Sequence, residues 1–120
     1  MKYASVNGQR REAQRGLSGV CPACGADMRP RCGNVRVHHW AHISARHCDR
    51  WWEPETDWHR AWKDCFPKGW QEIVGTDKTG ERHIADVRTD RQWVIEFQHS
   101  RIDPDERHPR EAFHRRMLWI

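Results

Sequence analysis

Between residues 21 and 48 the chain reads "CPACGADMRPRCGNVRVHHWAHISARHC", a stretch of Cys, His, Gly and Pro with few aliphatic side chains. Such a segment buries too little apolar surface to offset the entropy lost on ordering it. Something other than a core must fold it, and a metal bound by several side chains supplies that free energy. "CPACG" sets Cys21 and Cys24 two residues apart with Gly25 behind them, the turn in which two thiolates meet one tetrahedral zinc. "VHHWAHISARHC" offers His38, His39, His42, His47 and Cys48 for the other half. Two sets satisfy four-coordination: Cys21, Cys24, His42 and Cys48, or Cys21, Cys24, His39 and His42. The first uses a third thiolate and is favoured. The second His/Cys cluster argues for zinc over a redox pair. Four protein ligands close the coordination sphere, which makes the zinc structural, since a catalytic zinc keeps a position for water. Cys32 and Cys65 are spares.

Five cysteines, an odd number, suit a reducing compartment better than a disulfide framework. No apolar run approaches the roughly 20 residues of a membrane span, and "MKYASVNGQRREAQRG" lacks the apolar centre of a secretory signal. The expected location is cytoplasmic. At 120 residues the chain suits one modest core with a small appendage. Lys and Arg number 21 against 17 Asp and Glu, and the excess is mostly Arg, which pairs with phosphate and carboxylate. That balance leans towards a polyanionic partner.

Local signals give an order of elements. "KYASV" reads as a strand, Asn7-Gly8 as a turn, and "QRREAQRG" as a short Arg-rich helix stopped by Gly16. "EPETDWHRAWKDCF" has Pro54 and Glu55 near its start and apolar residues at helical spacing, ended by Pro67 and Gly69. Strands are expected at 70 to 75, 82 to 89 and 92 to 99, joined by short turns into an antiparallel meander. "DPDERHPREAFHRRM" starts a helix with Asp103 as N-cap and Pro104 at the first position, with a break or restart at Pro109. "MLWI" reads as a last strand.

The third strand carries an oddity. In "RQWVIEFQHS", Trp93, Ile95 and Phe97 share one side, and Val94, Glu96 and Gln98 the other, so a carboxylate sits inside an apolar run. A buried carboxylate needs a cation, hydrogen bonds or a metal. Asp86 in "HIADV" lies on the neighbouring strand and can meet Glu96 on one face. Together they suit Mg or Mn, which favours carboxylate oxygens and keeps several waters. Such an ion lowers the pKa of a bound water and offsets charge at a scissile phosphate. On the preceding helix Glu55, His59, Trp62 and Lys63 are spaced to share a side.

Helix, three strands, helix, strand, with an acid on the leading helix, Asp86 on the second strand and Glu96-x-Gln98 on the third, resembles the PD-(D/E)XK nuclease superfamily. "CPACG", "HHWAH", "HC", "ETDWHRAWK", "IADV" and "IEFQHSRI", in that order, resemble the competence protein CoiA-like family over about Val20 to Arg116. The resemblance implies an α+β chain: a small zinc-finger-like element over 1–50, then a restriction-endonuclease-like core over 51–120. It implies a metal-dependent deoxyribonuclease that processes incoming or foreign DNA. Cys21, Cys24, His42 and Cys48 fall on the zinc element, with His39 as substitute. Asp86 and Glu96 fall on the cation ligands and Glu55 on a further one. Gln98 falls on the water-orienting position, and Lys63 or His59 on the phosphate. Gln98 departs from the pattern, which has Lys there, and Lys63 is the candidate to replace it. The basic residues Arg107, Arg110, Arg115 and Arg116 are candidates to track the DNA backbone. An alternative within the same resemblance is a nucleic-acid-binding adaptor with weak or absent hydrolysis.

Overall fold

A computed structural model describes residues 1–44 and 48–120. The chain divides into two compact units, Met1–Ala61 and Trp62–Ile120. No helix among the described residues is long and apolar enough to cross a membrane.

The first unit is an antiparallel sheet of five strands, β1 (Tyr3–Val6), β2 (Gln9–Glu12), β3 (Gly19–Val20), β4 (Asp27–Arg31) and β5 (His39–His42). Their spatial order is β2-β1-β3-β4-β5. The helix expected at "QRREAQRG" is a strand instead: β2 pairs with β1, Val6 against Gln9 and Tyr3 against Glu12. The turn decides it. Asn7 and Gly8 have φ of 52° and 78°, the two positive values of a tight two-residue hairpin whose twist matches paired strands. The unit has a core of its own, with Tyr3, Ala4, Val6, Met28, Trp40 and Trp51 buried. Trp40 anchors it, its indole N–H donating to the Arg11 carbonyl at 3.0 Å. A Cβ on Gly19 would lie 3.1 Å from both Ala4 Cβ and Trp40 Cη2, so β3 passes Trp40 only without a side chain.

Helix α1 (Asp57–Asp64) spans the boundary between the units. It starts later than its Pro-Glu signal suggested, because Thr56 Oγ1 accepts the His59 amide at 3.2 Å and caps it. Glu55 therefore precedes the helix and does not share its face.

The second unit continues through β6 (Gln71–Thr76), β7 (Arg82–Arg88), β8 (Val94–Glu96), α2 (Pro104–His114) and β9 (Met117–Trp119). This is the expected order of helix, three strands, helix, strand. The sheet runs β6-β7-β8-β9, antiparallel except for the β8/β9 pair, which is parallel because α2 carries the chain back. Asp103 caps α2, its side chain accepting the Asp105 amide at 2.8 Å. Pro109 lies inside α2 and does not interrupt it, contrary to expectation. Its missing N–H forfeits one bond to the carbonyl four residues back, and the rest of the helix holds. Ala85, Val87, Val94, Ile95 and Phe97 form the core, with Trp62 stacked on Phe97 at 5.6 Å between centroids.

Gly19→Val is expected to destabilise the first unit by about 1–3 kcal/mol through overpacking against Trp40. Denaturant unfolding of the zinc-loaded protein, followed by tryptophan fluorescence, measures this; an unchanged midpoint would contradict the packing described.

Candidate functional site

Two clusters stand out, one in each unit. In the first, β3 delivers Cys21 at its end, and the knuckle that follows is built from backbone. The Cys21 amide donates to Ala26 O at 2.9 Å and the Gly25 amide to Cys21 O at 2.8 Å. Gly25 has φ of 73°, which lets the turn close and presents Cys24 beside Cys21. Register brings in the third group, since Met28 on β4 pairs with His42 at the end of β5. Ligand atoms of Cys21, Cys24, His42 and Cys48 all lie within 4.8 Å of one another. Cys21 and Cys48 sulfurs are 3.7 Å apart, and Cys24 Sγ is 3.5 Å from His42 Nε2. A tetrahedral zinc with its usual bond lengths has S–S edges of about 3.8 Å and S–N edges of about 3.5 Å. The four groups therefore fit a structural zinc.

Their electrostatics agree. Burial, reinforced at Cys48 by the neighbouring thiols, pushes the Cys21 and Cys48 thiols up. At Cys24 burial also raises the thiol, but backbone donors, first the Ala26 amide, and the adjacent cysteines outweigh it, and the net shift is down. Three thiols packed together resist ionising together, and a divalent cation removes that obstacle. His39 is excluded by strand geometry. It lies one step out of phase with His42 along β5, its Nδ1 donates to Val37 O at 2.9 Å, and burial lowers its pKa. His47 lies outside the described residues.

The second cluster sits where β7 and β8 part. Their ladder ends at Val87 and Ile95. Beyond it the Phe97 amide turns to Asp86 Oδ2 at 3.0 Å. The Gln98 amide pairs instead with Ile120 O at 2.7 Å. At this fork Asp86 and Glu96 are close, the Asp86 amide lying 3.4 Å from Glu96 Oε1. Glu96 is buried and its Oε2 accepts from Arg110 Nη2 at 2.8 Å, with His114 Nε2 at 3.9 Å from the other oxygen. Lys63, also buried, places its ammonium 3.7 Å from Asp86 Oδ1 and 3.5 Å from Glu72 Oε1. Gln98 Oε1 is buried with no hydrogen-bond partner.

Sequence reasoning missed Glu72, Arg110 in this role, and His114. A Glu at the start of a strand reads as surface, but Glu72 is buried and has φ of 49°, a conformation costly for a side chain with a Cβ. Two other candidates belong to the first unit. Glu55 is buried with Arg60 Nε at 3.5 Å. His59 has both ring nitrogens engaged, by Thr56 Oγ1 at 2.9 Å and Glu53 Oε2 at 3.0 Å. The basic face expected on α2 is partly spoken for: Arg110 is buried against Glu96, and Arg107 pairs with Glu111 at 2.7 Å.

Whether the fork suits Mg or Mn turns on its donors. Asp86 and Glu96 supply hard carboxylate oxygens, each carboxylate fixed at one oxygen by a strong donor. No third acidic, His or Cys ligand joins them among the described residues, where the only grouping of three or more is the Cys/His cluster.

Residues 7–50 match the family model described as "Competence protein CoiA, N-terminal domain". The match contains all four zinc-cluster residues and is consistent with a competence-related role. Comparisons with curated proteins and with solved structures gave no match.

Cys21→Ser and Cys48→Ser are expected to abolish stoichiometric zinc, measured by elemental analysis of purified protein, while His39→Ala retains it. Zinc affinity should fall as pH is lowered. The metal displaces protons from the thiols, of which Cys21 and Cys48 are held up in its absence, so protons compete more strongly in acid. Separately, Arg110→Ala removes the buried guanidinium that pairs with Glu96, and should cost the second unit about 3–5 kcal/mol in thermal or denaturant unfolding.

Proposed function

We propose that the chain is a DNA-processing protein of the competence type, in which a zinc-held first unit accompanies a nuclease-like second unit that hydrolyses phosphodiester bonds with Mg or Mn. The observation that carries the nuclease reading is the fork between β7 and β8, with Asp86, Glu96 and the buried ammonium of Lys63 together at one point. The element order and the parallel β8/β9 pair support the same reading, as they suit a restriction-endonuclease-like core.

Asp86 and Glu96 would hold the ion, which when bound supplies Lewis acidity and an acidified water. The chain's own residues have separable tasks. The Phe97 amide fixes Asp86 through Oδ2, and Arg110 fixes Glu96 through Oε2. Lys63 brings a positive charge to Asp86 from α1, the task that the superfamily gives to the residue at position 98. A buried ammonium there stabilises negative charge developing on a phosphate without reorganising at the moment of reaction. Gln98, neutral, positions water by hydrogen bonding and does not act as an acid or base. Nothing in the cluster is a covalent nucleophile, so hydrolysis is direct.

A second reading has its own support. Arg110 at 2.8 Å already neutralises Glu96, and Gln98 lacks the usual charge, which together favour a unit that binds nucleic acid without cutting it. Incubating the protein with linear, single-stranded and branched DNA in Mg or Mn separates the two. Under the enzyme reading, wild type cleaves, Asp86→Ala and Glu96→Ala abolish cleavage, and Lys63→Ala lowers it by about 10²-fold. Wild type that binds with steep salt dependence but cuts none of the three sinks the enzyme reading and leaves the binding one.

A further inference from the structure

The first unit carries a basic cleft that the zinc cluster does not account for. A cavity of about 350 Å³ opens over β4 and β5, lined by Arg29, Arg31, Arg36, His39, Trp52 and Glu55 among others. Its volume is that of a small-ligand site. Arg29 and Arg31 are two residues apart on β4 and so project to one face, opposite Ala41 and His39 of β5. The small side chain of Ala41 leaves the Arg29 side of that face uncrowded. All three arginines are exposed, and none forms an ion pair or a side-chain hydrogen bond among the described residues. By contrast, Arg60, Arg107 and Arg110 each meet a carboxylate. The one acid in the lining, Glu55, is buried and has Arg60 at 3.5 Å and the N-terminal ammonium at 3.9 Å, so it does not cancel the field of the cleft. Trp52 keeps about two-fifths of its surface exposed at the same cavity, although a large aromatic gains by burial.

Three unpaired guanidinium groups beside one exposed indole, in a concavity, define a ligand of alternating anion and planar ring. We propose that this cleft binds single-stranded nucleic acid, with Arg29, Arg31 and Arg36 on consecutive phosphates and Trp52 stacked on an unpaired base. The inference rests on the reading of the protein as one that handles DNA, and it names where and in what form the strand is held. Duplex is disfavoured because its bases are already stacked and cannot reach an indole recessed in a cleft. Guanidinium groups take phosphate in two-point hydrogen bonds, which fixes the backbone while leaving the base free for Trp52. Sequence preference should be slight, since every base has a face to stack.

The test uses the full zinc-loaded chain and fluorescently labelled oligonucleotides, single-stranded and duplex, of equal length, without divalent cation so that cleavage plays no part. Wild type should bind the single strand more tightly. The triple variant Arg29→Ala, Arg31→Ala, Arg36→Ala should weaken it at least tenfold and flatten the dependence of log affinity on log salt by about 2. Replacing the same three by Lys should keep the salt slope. Trp52→Ala should cost about 5- to 150-fold and Trp52→Phe should recover most of it. These residues are exposed, and unchanged zinc content shows that each variant is folded. If wild type binds but the triple Ala variant binds equally well, the cleft is wrong while the DNA reading survives. If Trp52→Ala has no effect, or duplex binds as tightly as single strand, the stacking site is wrong. If wild type binds neither form and cleaves nothing, the DNA-processing reading falls and this inference with it.

Discussion

Three thiols and an imidazole lie with their ligand atoms within 4.8 Å of one another, a spacing suited to one divalent cation. Without a cation the thiols either stay protonated, crowding four weak hydrogen-bonding groups together, or ionise against each other. With zinc the same spacing becomes the edge lengths of a tetrahedron. The first unit's sheet is short-stranded, so a metal at this cluster would add to what its own core supplies. Strand β3 has two residues, and Cys21, Cys24, His42 and Cys48 meet beside it at the cluster. A metal held there would offset the few aliphatic side chains of the segment.

Much of this was legible because ligand chemistry leaves fixed spacing in a sequence. Cys21, Cys24, His42 and Cys48 could be chosen over the set with His39, and strand periodicity supplies the reason that the spacing alone did not. The order of elements in the second unit was also legible, since α1, β6, β7, β8, α2 and β9 each carry a local signal. What was not legible lay in competition between local signals. "QRREAQRG" has helical composition, but the positive φ of Asn7 and Gly8 sets up a hairpin, and pairing with β1 overrides propensity. At Pro109 a local breaker lost to the helix around it.

The buried charges were legible in part. Glu96 announced itself as a carboxylate in an apolar strand, and a cation partner was among the expected resolutions. That the partner is Arg110, fourteen residues on in α2, follows only from the tertiary fold. In sequence Arg107 and Arg110 of α2 read as candidates to track a DNA backbone. In the structure Arg110 turns inward, and Glu106, one helical turn back, meets its other nitrogen at 3.0 Å. A residue's charge is visible in sequence; the element against which it packs is not.

The departure at position 98 looks different once the cluster is treated as a whole. Asp86 and Glu96 bring two carboxylates to the fork, Lys63 and Arg110 bring two cations, and Glu72 lies on the far side of Lys63, with His114 at 3.9 Å from Glu96. Isolated buried carboxylates would be costly, so the positive charge that Gln98 does not carry has to arrive from elsewhere. Lys63 delivers it from α1, and the strained backbone at Glu72 is a sign of how firmly that ammonium is held: a conformation costing on the order of 1–3 kcal/mol persists where surrounding contacts over-determine it. A positive charge at the fork is therefore present, carried by α1 beside Asp86. A lysine two residues after Glu96 would move with that glutamate, whereas Lys63 is set against Asp86. The site's electrostatics thus depend on how α1 packs on the sheet, and Trp62 stacked on Phe97, next to Lys63 in the chain, is the contact that fixes it.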